Sequence, residues 1–318
     1  MEPIKISTAQ FEHKSCDKNY NLSVMNKLCA EAAEKGADAI AFHECCIPGY
    51  TIANQLSEVE LKELSEPVPD GPSSIKLAEM AVKYDLIILG GLFEIDQDQK
   101  IYNTYVCVDK NGLVAKHRKL HPFIHSSLTP GNSYTIFEIL GWKCGILICY
   151  DNNVVENVRA TNLLGADILF MPHVTMCTPS TRPGAGFVDP ELWKNRKVDP
   201  TSLRQEFDGL KGRQWLMKWL PARAYDNAAY VVFSNPIGMD EDQLKNGCSM
   251  ILDPFGDITA ECRKLDNDMV TAYITPKKLT DAGGYRYKKA RSPELYNKII
   301  GVNHHSEQKV AWLTGKTD

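Results

Sequence analysis

Short runs in which apolar and polar residues alternate recur along the chain, and longer segments with helical spacing lie between them. Alternation at every second residue is typical of a strand with one buried face, whereas a spacing of three or four residues is typical of an amphipathic helix. The pattern predicts helices over residues 21–35, 72–84, 154–164 and 210–227. It predicts strands over residues 4–11, 39–42, 86–93, 102–109, 113–119, 134–139, 143–149, 168–171, 230–234, 249–252, 258–262 and 269–274.

Turn-forming residues mark the ends of several of these elements. Gly36 and Gly165 follow predicted helices, and the turn sequences at 110–112 and 253–256 each join two strands into a hairpin. Strands that alternate with helices, together with several hairpins, predict an α/β fold. We expect a mixed sheet or two sheets, with helices covering the outer faces.

Two segments do not follow the alternating pattern. Residues 177–207 are rich in proline, glycine and charge, and a loop of that length inside a compact domain is usually functional. We therefore expect a lid or substrate wall at 177–208, inserted in a main domain over 1–280. The tail over 281–318 is expected to pack at a subunit interface. It is polar with isolated apolar residues, namely Leu295, Tyr296, Trp312 and Leu313.

Composition narrows the classes of function. The chain has 318 residues, of which 43% are hydrophobic and 24% charged, and its net charge of -4 gives no broad basic surface for nucleic acid. The N-terminus lacks the pattern of a signal peptide, and no apolar run is long enough to span a bilayer. We expect a soluble cytoplasmic protein. The ten cysteines include several in apolar strand-like runs, which favours free thiols over a disulfide framework.

Cys149 is the first candidate for chemistry. It ends an apolar strand, and a predicted helix begins a few residues later. Enzymes of the α/β class place their sites at such strand ends, and a helix N-terminus favours a thiolate and binds oxyanions. The alternative is that Cys149 is an ordinary buried cysteine.

Glu44 and Lys119 also stand at the ends of predicted strands. A carboxylate such as Glu44 is either a turn cap or a general base with a raised pKa. Its neighbours His43, Cys45 and Cys46 lack the separated pairs of a zinc site. Lys119 belongs either to a solvated basic run or to a site where its charge stabilises an oxyanion.

Together these three residues resemble the nitrilase superfamily of carbon–nitrogen hydrolases. That superfamily has a Glu after an early strand, a Lys in an Arg-Lys-x-His segment and a Cys in a Cys-Tyr-Asp or Cys-Trp-Glu segment. Glu44, residues 118–121 and residues 149–151 match these in order. The resemblance implies a four-layer α-β-β-α sandwich with two mixed sheets, assembled as a homodimer or larger homo-oligomer. Further matching segments lie at 165–172, 223–231, 247–249 and 253–256.

The resemblance also implies roles for these residues. Glu44 would take the thiol proton, and Cys149 would attack the carbonyl carbon of an amide or carbamoyl group. Lys119 and the backbone N–H of Tyr150 would hold the oxyanion. Ammonia or an amine would leave, and water activated by Glu44 would hydrolyse the thioester. No metal and no organic cofactor would be needed.

One position departs from the superfamily pattern. Many members carry a second Glu a few residues before the Pro-Gly that here is residues 130–131, and by spacing the matching position is Ile124. No acidic residue lies between Lys119 and Gly131. His125 is a candidate for the vacant space, the alternative being a surface residue of the loop.

The residues after the nucleophile bear on the substrate. Tyr150 and Asp151 resemble the amidase and N-carbamoyl amide hydrolase branches more than true nitrilases, which favour Trp-Glu. D-amino-acid carbamoylases are similar but grip a carboxylate with arginines where this chain has asparagines. Alternatives are a true nitrilase, an acyltransferase and a catalytically impaired binding or scaffold member. Phe187 and Trp193 could line an apolar pocket instead of packing in the loop. The candidate substrate contacts are Tyr50, His121, His125, Asn152, Asn153, His173 and Arg182.

Overall fold

A computed structural model describes residues 1–180 and 182–303 of the chain. The strands within these residues are β1 (Ile4–Gln10), β2 (Ala39–Ala41), β3 (Ile87–Ile95), β4 (Ile101–Asp109), β5 (Gly112–Arg118), β6 (Thr135–Ile139), β7 (Trp142–Ile146), β8 (Ile168–Pro172), β9 (Tyr230–Ser234), β10 (Ile237–Asp240), β11 (Gln243–Asn246), β12 (Met250–Leu252), β13 (Ile258–Glu261) and β14 (Asp268–Ile274). The helices are α1 (Lys18–Glu34), α2 (Glu58–Leu64), α3 (Pro72–Tyr84), α4 (Val155–Leu163), α5 (Pro190–Lys194), α6 (Pro200–Asp208), α7 (Arg213–Leu216), α8 (Leu220–Tyr225), α9 (Pro276–Asp281), α10 (Gly283–Lys289) and α11 (Pro293–Ile300), with 3-10 helices at Thr51–Gln55 and Cys149–Asn152.

Two six-stranded mixed sheets form the centre of the molecule. The first has the strand order β14-β1-β2-β3-β4-β5, and the second has the order β13-β12-β9-β8-β7-β6. Strands β1, β2 and β3 run parallel, as do β7, β8 and β9, while the outer pairs are antiparallel. The hairpin β10–β11 stands apart from both sheets.

Alternate residues of the strands divide between different cores. Ile168 and Phe170 of β8 join a core shared by both sheets, whereas Leu169 and Met171 face the opposite side. Because successive strand residues point to opposite faces, each sheet packs against the other on its inner face and against helices on its outer face. The result is a four-layer α-β-β-α sandwich with two mixed sheets, which confirms the fold that the family resemblance implies.

The helical prediction over residues 210–227 is wrong. Instead of one long helix the structure has α7 and α8, with Gly212 preceding the first and Pro221 near the start of the second. Gly212 has almost no room for a side chain, because a Cβ would collide with the carbonyl oxygen of Phe207. Proline lacks the N–H that would continue a preceding helix, so the helix is divided near Pro221. The helical spacing of apolar residues in the sequence does not reveal this division.

The prediction of an irregular segment over residues 177–207 is also wrong in part, since it contains α5 and most of α6. Asp189 and Asp199 cap these helices by accepting hydrogen bonds from the backbone N–H groups of Glu191 and Ser202. A proline follows each cap, at the first helical position. Each helix is short, so apolar periodicity has few residues in which to show.

The tail is partly helical. Helix α11 has no buried residue, and Leu295 is 74% exposed on it, while Tyr296 is half-buried. Trp312 and Leu313 lie outside the described residues. Among the residues that are described, no helix combines the length and the apolar character needed to cross a lipid bilayer.

Candidate active site

Three side chains from three strand ends meet between the two sheets. Glu44 follows β2, Lys119 follows β5 and Cys149 follows β7. Strands β2, β3 and β5 run in the same direction, so their carboxyl ends lie at one edge of the first sheet. The structure thus brings together the three residues that the sequence predicts as catalytic. One detail differs, because β7 ends at Ile146 and Cys149 begins a 3-10 helix instead of ending the strand.

Glu44 and Lys119 form a buried ion pair. The distance between Glu44 Oε1 and Lys119 Nζ is 2.6 Å, and both side chains are fully buried. Burial is the largest single effect and lowers the pKa of Lys119, but the charges of Glu44, Tyr50, Cys149 and Asp151 together outweigh it, so this pKa lies well above its usual range. Lys119 therefore stays cationic, as an oxyanion-binding group must.

Asn103 of β4 connects the two partners of this ion pair. Its Nδ2 donates to Glu44 Oε1 over 2.6 Å, and its backbone oxygen accepts a hydrogen bond from Lys119 N over 2.8 Å. Glu44 Oε2 has no hydrogen-bond partner among the described residues, so it remains available as a proton acceptor. Lys119 Nζ also lies 5.2 Å from the ring centroid of Tyr50 and 5.0 Å from that of Phe123.

Cys149 has a strained backbone and a protonated thiol. Its φ angle of 51° is in the left-handed region, where a non-glycine residue costs about 1–3 kcal/mol. Its Sγ lies 4.0 Å from the carbonyl oxygen of Val174. Burial and then the charge of Glu44 raise the pKa of the Cys149 thiol to about 12, and Lys119 lowers it only in part. A base must therefore remove the proton during attack.

Asp151 joins the Lys119 segment to the Cys149 turn. Its carboxylate accepts hydrogen bonds from the backbone N–H groups of Leu120 at 3.1 Å, His121 at 2.9 Å and Ile148 at 3.1 Å. The side chain is fully buried, so these contacts are shielded from water. One carboxylate thus holds the residue after Lys119 and the residue before Cys149 at a fixed separation.

The backbone N–H of Tyr150 is placed to serve as an oxyanion donor. Tyr150 is the second residue of the 3-10 helix that begins at Cys149. The first N–H groups of a helix have no acceptor within it and carry partial positive charge. The geometry is compatible with the predicted role of Tyr150, which stays a prediction.

A cavity of about 430 Å³ opens above Cys149. Besides Cys149, four of the predicted site residues line it, namely Tyr50, Tyr150, Asn153 and Arg182. Ile124 also lines it, so the position of the missing second Glu presents an apolar side chain to the cavity. The segment 177–208, which was predicted to form a lid or substrate wall, also contributes to the lining. Its lining residues are Cys177, Thr178, Ser180, Arg182, Ala185 and Gly186.

Four predicted substrate contacts do not line the cavity. His125 donates from Nε2 to the carbonyl oxygen of Leu56, so it does not fill the space of the missing Glu. His121 is hydrogen-bonded through Nε2 to Asn157, 3.0 Å away. Asn152 and His173 are buried and bond to each other over 3.2 Å. Each of the four bonds to a protein group, although Asn152 Oδ1 and His173 Nδ1 have no partner among the described residues. Their role as substrate contacts stays a prediction that the cavity lining does not support.

Phe187 and Trp193 are likewise absent from the lining. Phe187 is 46% exposed, and buried Trp193 donates from Nε1 to Glu12 Oε1 over 3.1 Å. The residues near Glu44 that could suggest a metal site, His43, Cys45 and Cys46, have different surroundings. His43 bonds to His13, whereas Cys45 and Cys46 belong to different hydrophobic clusters.

Sequence reasoning missed four polar residues of the site. Asn103 is the easiest to recognise, because it is an amide inside the strand predicted over residues 102–109, whereas Lys245 lies in a four-residue strand. Gln243 lies in the short strand β11, for which no prediction was made. Asp151 was noted only as part of a motif, and no sequence pattern indicates that it receives three backbone N–H groups.

Comparison with known proteins gives a consistent result. The sequence model of the carbon-nitrogen hydrolase family matches residues 5–283. A probable nitrilase of Schizosaccharomyces pombe is 27% identical over 307 residues, which cover 93% of this chain and 98% of that protein. The omega-amidase of Xenopus tropicalis is 28% identical over 274 residues, covering 82% of this chain and 85% of that protein.

Solved structures show the same fold. A double mutant of the amidase from Nesterenkonia sp. AN1, in complex with acrylamide, superposes with a TM-score of 0.68 at 19% identity, covering 93% of this chain and 96% of that one. A Saccharomyces cerevisiae protein from branch 10 of the nitrilase superfamily gives a TM-score of 0.69 at 24% identity, with coverages of 93% and 97%.

Proposed function

The chain belongs to the carbon-nitrogen hydrolase family, and on that premise we propose that it hydrolyses an amide or N-carbamoyl group through a thioester on Cys149. The observation that carries the proposal is the buried ion pair of Glu44 and Lys119, 2.6 Å apart, whose charges both act on the Cys149 thiol that lines the cavity. A nucleophile, a base and a cation are the groups that acyl transfer needs.

The first half of the reaction forms the acyl-enzyme. Glu44 accepts the thiol proton as Cys149 Sγ bonds to the carbonyl carbon, and the electron pair of the C=O bond moves to oxygen. Lys119 and the Tyr150 N–H stabilise that oxygen. The C–N bond then breaks, and the proton held by Glu44 passes to the departing ammonia or amine. Because the resting thiol has a pKa of about 12, the attack depends on Glu44 taking its proton.

The second half releases the product. Water gives a proton to Glu44 and adds to the thioester carbon, and the carbon–sulfur bond breaks as Cys149 recovers a proton. Glu44 serves as base and then acid in each half, which its unpartnered Oε2 allows. The acid leaves and the thiol is restored.

Named relatives support an amide substrate. They include omega-amidases from Xenopus tropicalis and mouse and an (R)-stereoselective amidase from Pseudomonas. Others are named as nitrilases, so a nitrile belongs in any test panel. The N-carbamoyl alternative rests on the resemblance of the Tyr150-Asp151 sequence alone.

The test is ammonia release from matched amides, N-carbamoyl compounds and nitriles, combined with intact mass spectrometry of the acyl-enzyme. We expect release from amides or carbamoyl compounds, an adduct on Cys149, and loss of both in Cys149→Ala. Cys177→Ala is the matched control, because Cys177 is a buried cysteine that also lines the cavity. Silence across the panel, with Cys149 unreactive towards iodoacetamide, would overturn the proposal.

We also propose that copies of the chain associate through the tail. Helix α11 exposes Leu295, Ile299 and Ile300, each by more than half, and Val302 follows them. A group of exposed apolar residues on one short helix is typical of an interaction surface. Light scattering should report a dimer or larger assembly, and Ile299→Lys should lower the mass. A monomeric wild-type chain would contradict this proposal.

A further inference from the structure

The hairpin β10–β11 carries a buried lysine to the cavity. Lys245 is only 1% exposed, and it lines the same cavity as Cys149. Its ammonium donates to the side-chain oxygen of Gln243 over 2.7 Å. Gln243 lies two residues earlier on β11 and also lines the cavity. The direct partner of this buried cation is therefore a neutral amide.

Asp240, a carboxylate on the same hairpin, contacts other residues and not Lys245. Asp240 Oδ1 is 3.0 Å from His13 Nε2, and Oδ2 accepts a hydrogen bond from Thr51 Oγ1 over 2.6 Å. No carboxylate of the described residues lies within 4.0 Å of Lys245 Nζ. A buried ammonium without a paired anion is costly, and burial lowers the pKa of Lys245 despite the opposing effect of Asp240. An anion in the cavity would relieve that cost.

The rest of the cavity lining also carries an excess of positive charge. Three other cations line it, and none of the described lining residues is a carboxylate. Lys211 is already paired with Glu206 at 2.6 Å, and Arg182 is exposed and lies over the ring of Trp215. Arg223 donates to the backbone oxygens of Asn152 and Asn153. Lys245 is thus the deeply buried cation of the lining that lacks a carboxylate partner.

We infer that Lys245 is a specificity-determining residue that binds the carboxylate of a substrate whose amide or carbamoyl group lies at Cys149. The inference rests on the proposed function and names its substrate class, a carboxylate-bearing amide or N-carbamoyl compound. Gln243 holds the ammonium in position until the substrate carboxylate accepts a charge-assisted hydrogen bond from it. A lysine that only supported the hairpin would not discriminate between charged and neutral substrates.

A pair of alkylating probes measures this discrimination without requiring turnover. N-iodoacetylglycine and N-iodoacetylglycinamide have the same reactive end and differ only in a carboxylate against a carboxamide. In both, Cys149 Sγ bonds to the methylene carbon, iodide leaves, and the thiol proton passes to Glu44. The measured quantity is the ratio of the second-order labelling rates of the two probes at Cys149, followed by intact mass.

We expect the acid to label wild-type Cys149 faster than the amide, and Lys245→Met to reduce the ratio at least about tenfold, as loss of a charge-assisted hydrogen bond implies. Gln243→Glu provides an independent variant, because it supplies a carboxylate at the position that now accepts the Lys245 hydrogen bond. It should also lower the ratio. Lys211→Met, which removes a lining lysine that is already paired, should change the ratio far less.

Each outcome decides something specific. An unchanged ratio in Lys245→Met and Gln243→Glu, with Cys149 still labelled, overturns the inference and leaves the proposed function standing. An equal fall in Lys211→Met means that a diffuse field selects the anion, which also overturns the role of Lys245. If Lys245→Met does not fold, Gln243→Glu decides. Absence of Cys149 labelling by both probes overturns the inference, and the ammonia-release panel then decides the proposed function separately.

Discussion

The floor and the wall of the cavity are built in opposite ways. We define the catalytic floor as Glu44, Asn103, Lys119, Cys149 and Asp151, which lie on or next to strands and contact one another's segments. We define the cavity wall by its cations and their aromatic neighbours. These are Arg182, Lys211, Trp215, Trp219, Arg223 and Lys245.

The difference lies in how charge is balanced. On the floor, the cation Lys119 has the carboxylate Glu44 at 2.6 Å, and Asp151 has three backbone donors. In the wall, Arg182, Arg223 and Lys245 have no carboxylate within 4.0 Å among the described residues. The floor is therefore complete without a ligand, whereas the wall leaves positive charge for a ligand to neutralise. Chemistry and selectivity are assigned to different parts of the fold.

The largest effect should come from breaking the floor at its base. Glu44→Gln removes the proton acceptor, so we expect kcat/KM to fall about 10²- to 10⁴-fold. The carboxylate also raises the pKa of Cys149, and Lys119 lowers it. Loss of the Glu44 carboxylate should therefore lower the pKa of the Cys149 thiol from about 12. The pH dependence of iodoacetamide labelling measures that shift.

Glu94→Gln is the matched control for this variant. Glu94 is also a buried glutamate with basic partners, Lys116 and Arg118, but it lines a different cavity from the one that Cys149 lines. We expect the labelling profile of Cys149 to stay where it is. A thiol pKa that is unchanged in Glu44→Gln, or that moves equally in both variants, would contradict the electrostatic account of the floor.

A smaller effect is expected from removing Asp151, whose carboxylate connects the Lys119 segment of the floor to the Cys149 turn. Asp151→Ala leaves three buried backbone N–H groups without their acceptor, so the free energy of unfolding should drop by about 2–4 kcal/mol. Asp151→Asn keeps one acceptor oxygen and should lose less. Urea denaturation compares the two variants. Equal stability of the alanine variant and the wild type would show that the connection is dispensable.

The buried carboxylate of the hairpin gives a pH-dependent prediction. Burial would raise the pKa of Asp240, but His13, Lys245 and Thr51 together lower it from 3.8 to about 2. A lowered pKa in the folded state stabilises the protein above about pH 3.8, and this contribution is lost as the pH falls towards 2. Asp240→Asn should therefore reduce stability at neutral pH.

Acid denaturation of the two proteins tests the sign of this effect. Between pH 4 and 2 the wild type should lose about 2 kcal/mol more stability than Asp240→Asn, because the variant has no carboxylate to protonate at that site. If both proteins lose the same stability between pH 4 and 2, the His13 contact does not favour the ionised form of Asp240.

The smallest effect is expected at the exposed part of the wall. Arg182 rests over the Trp215 ring and has a hydroxyl, Ser180 Oγ, as its side-chain acceptor. Because exposed charges contribute little, Arg182→Gln should raise KM for an anionic substrate by less than about threefold and leave kcat unchanged. A larger effect than that of Lys245→Met would reverse our assignment of selectivity within the wall.

The three catalytic residues of the floor were predictable from the sequence, whereas Asn103, Asp151 and most of the wall were not. Glu44, Lys119 and Cys149 each follow a recognisable apolar strand, so strand-end logic and the order of the motifs place them together. Lys245 lies in a four-residue strand, where alternation is too short to recognise. Loop geometry turns His125 and His121 towards Leu56 and Asn157, which no local pattern encodes.

The raised pKa of Cys149 has a consequence for the lifetime of the protein. Peroxides oxidise thiolates, and a thiol with a pKa of about 12 holds almost no thiolate at neutral pH. The nucleophile is generated only when a substrate is in place to receive it and Glu44 takes the proton. We therefore expect the resting protein to withstand oxidative conditions that would convert a permanently ionised cysteine to a sulfenic acid.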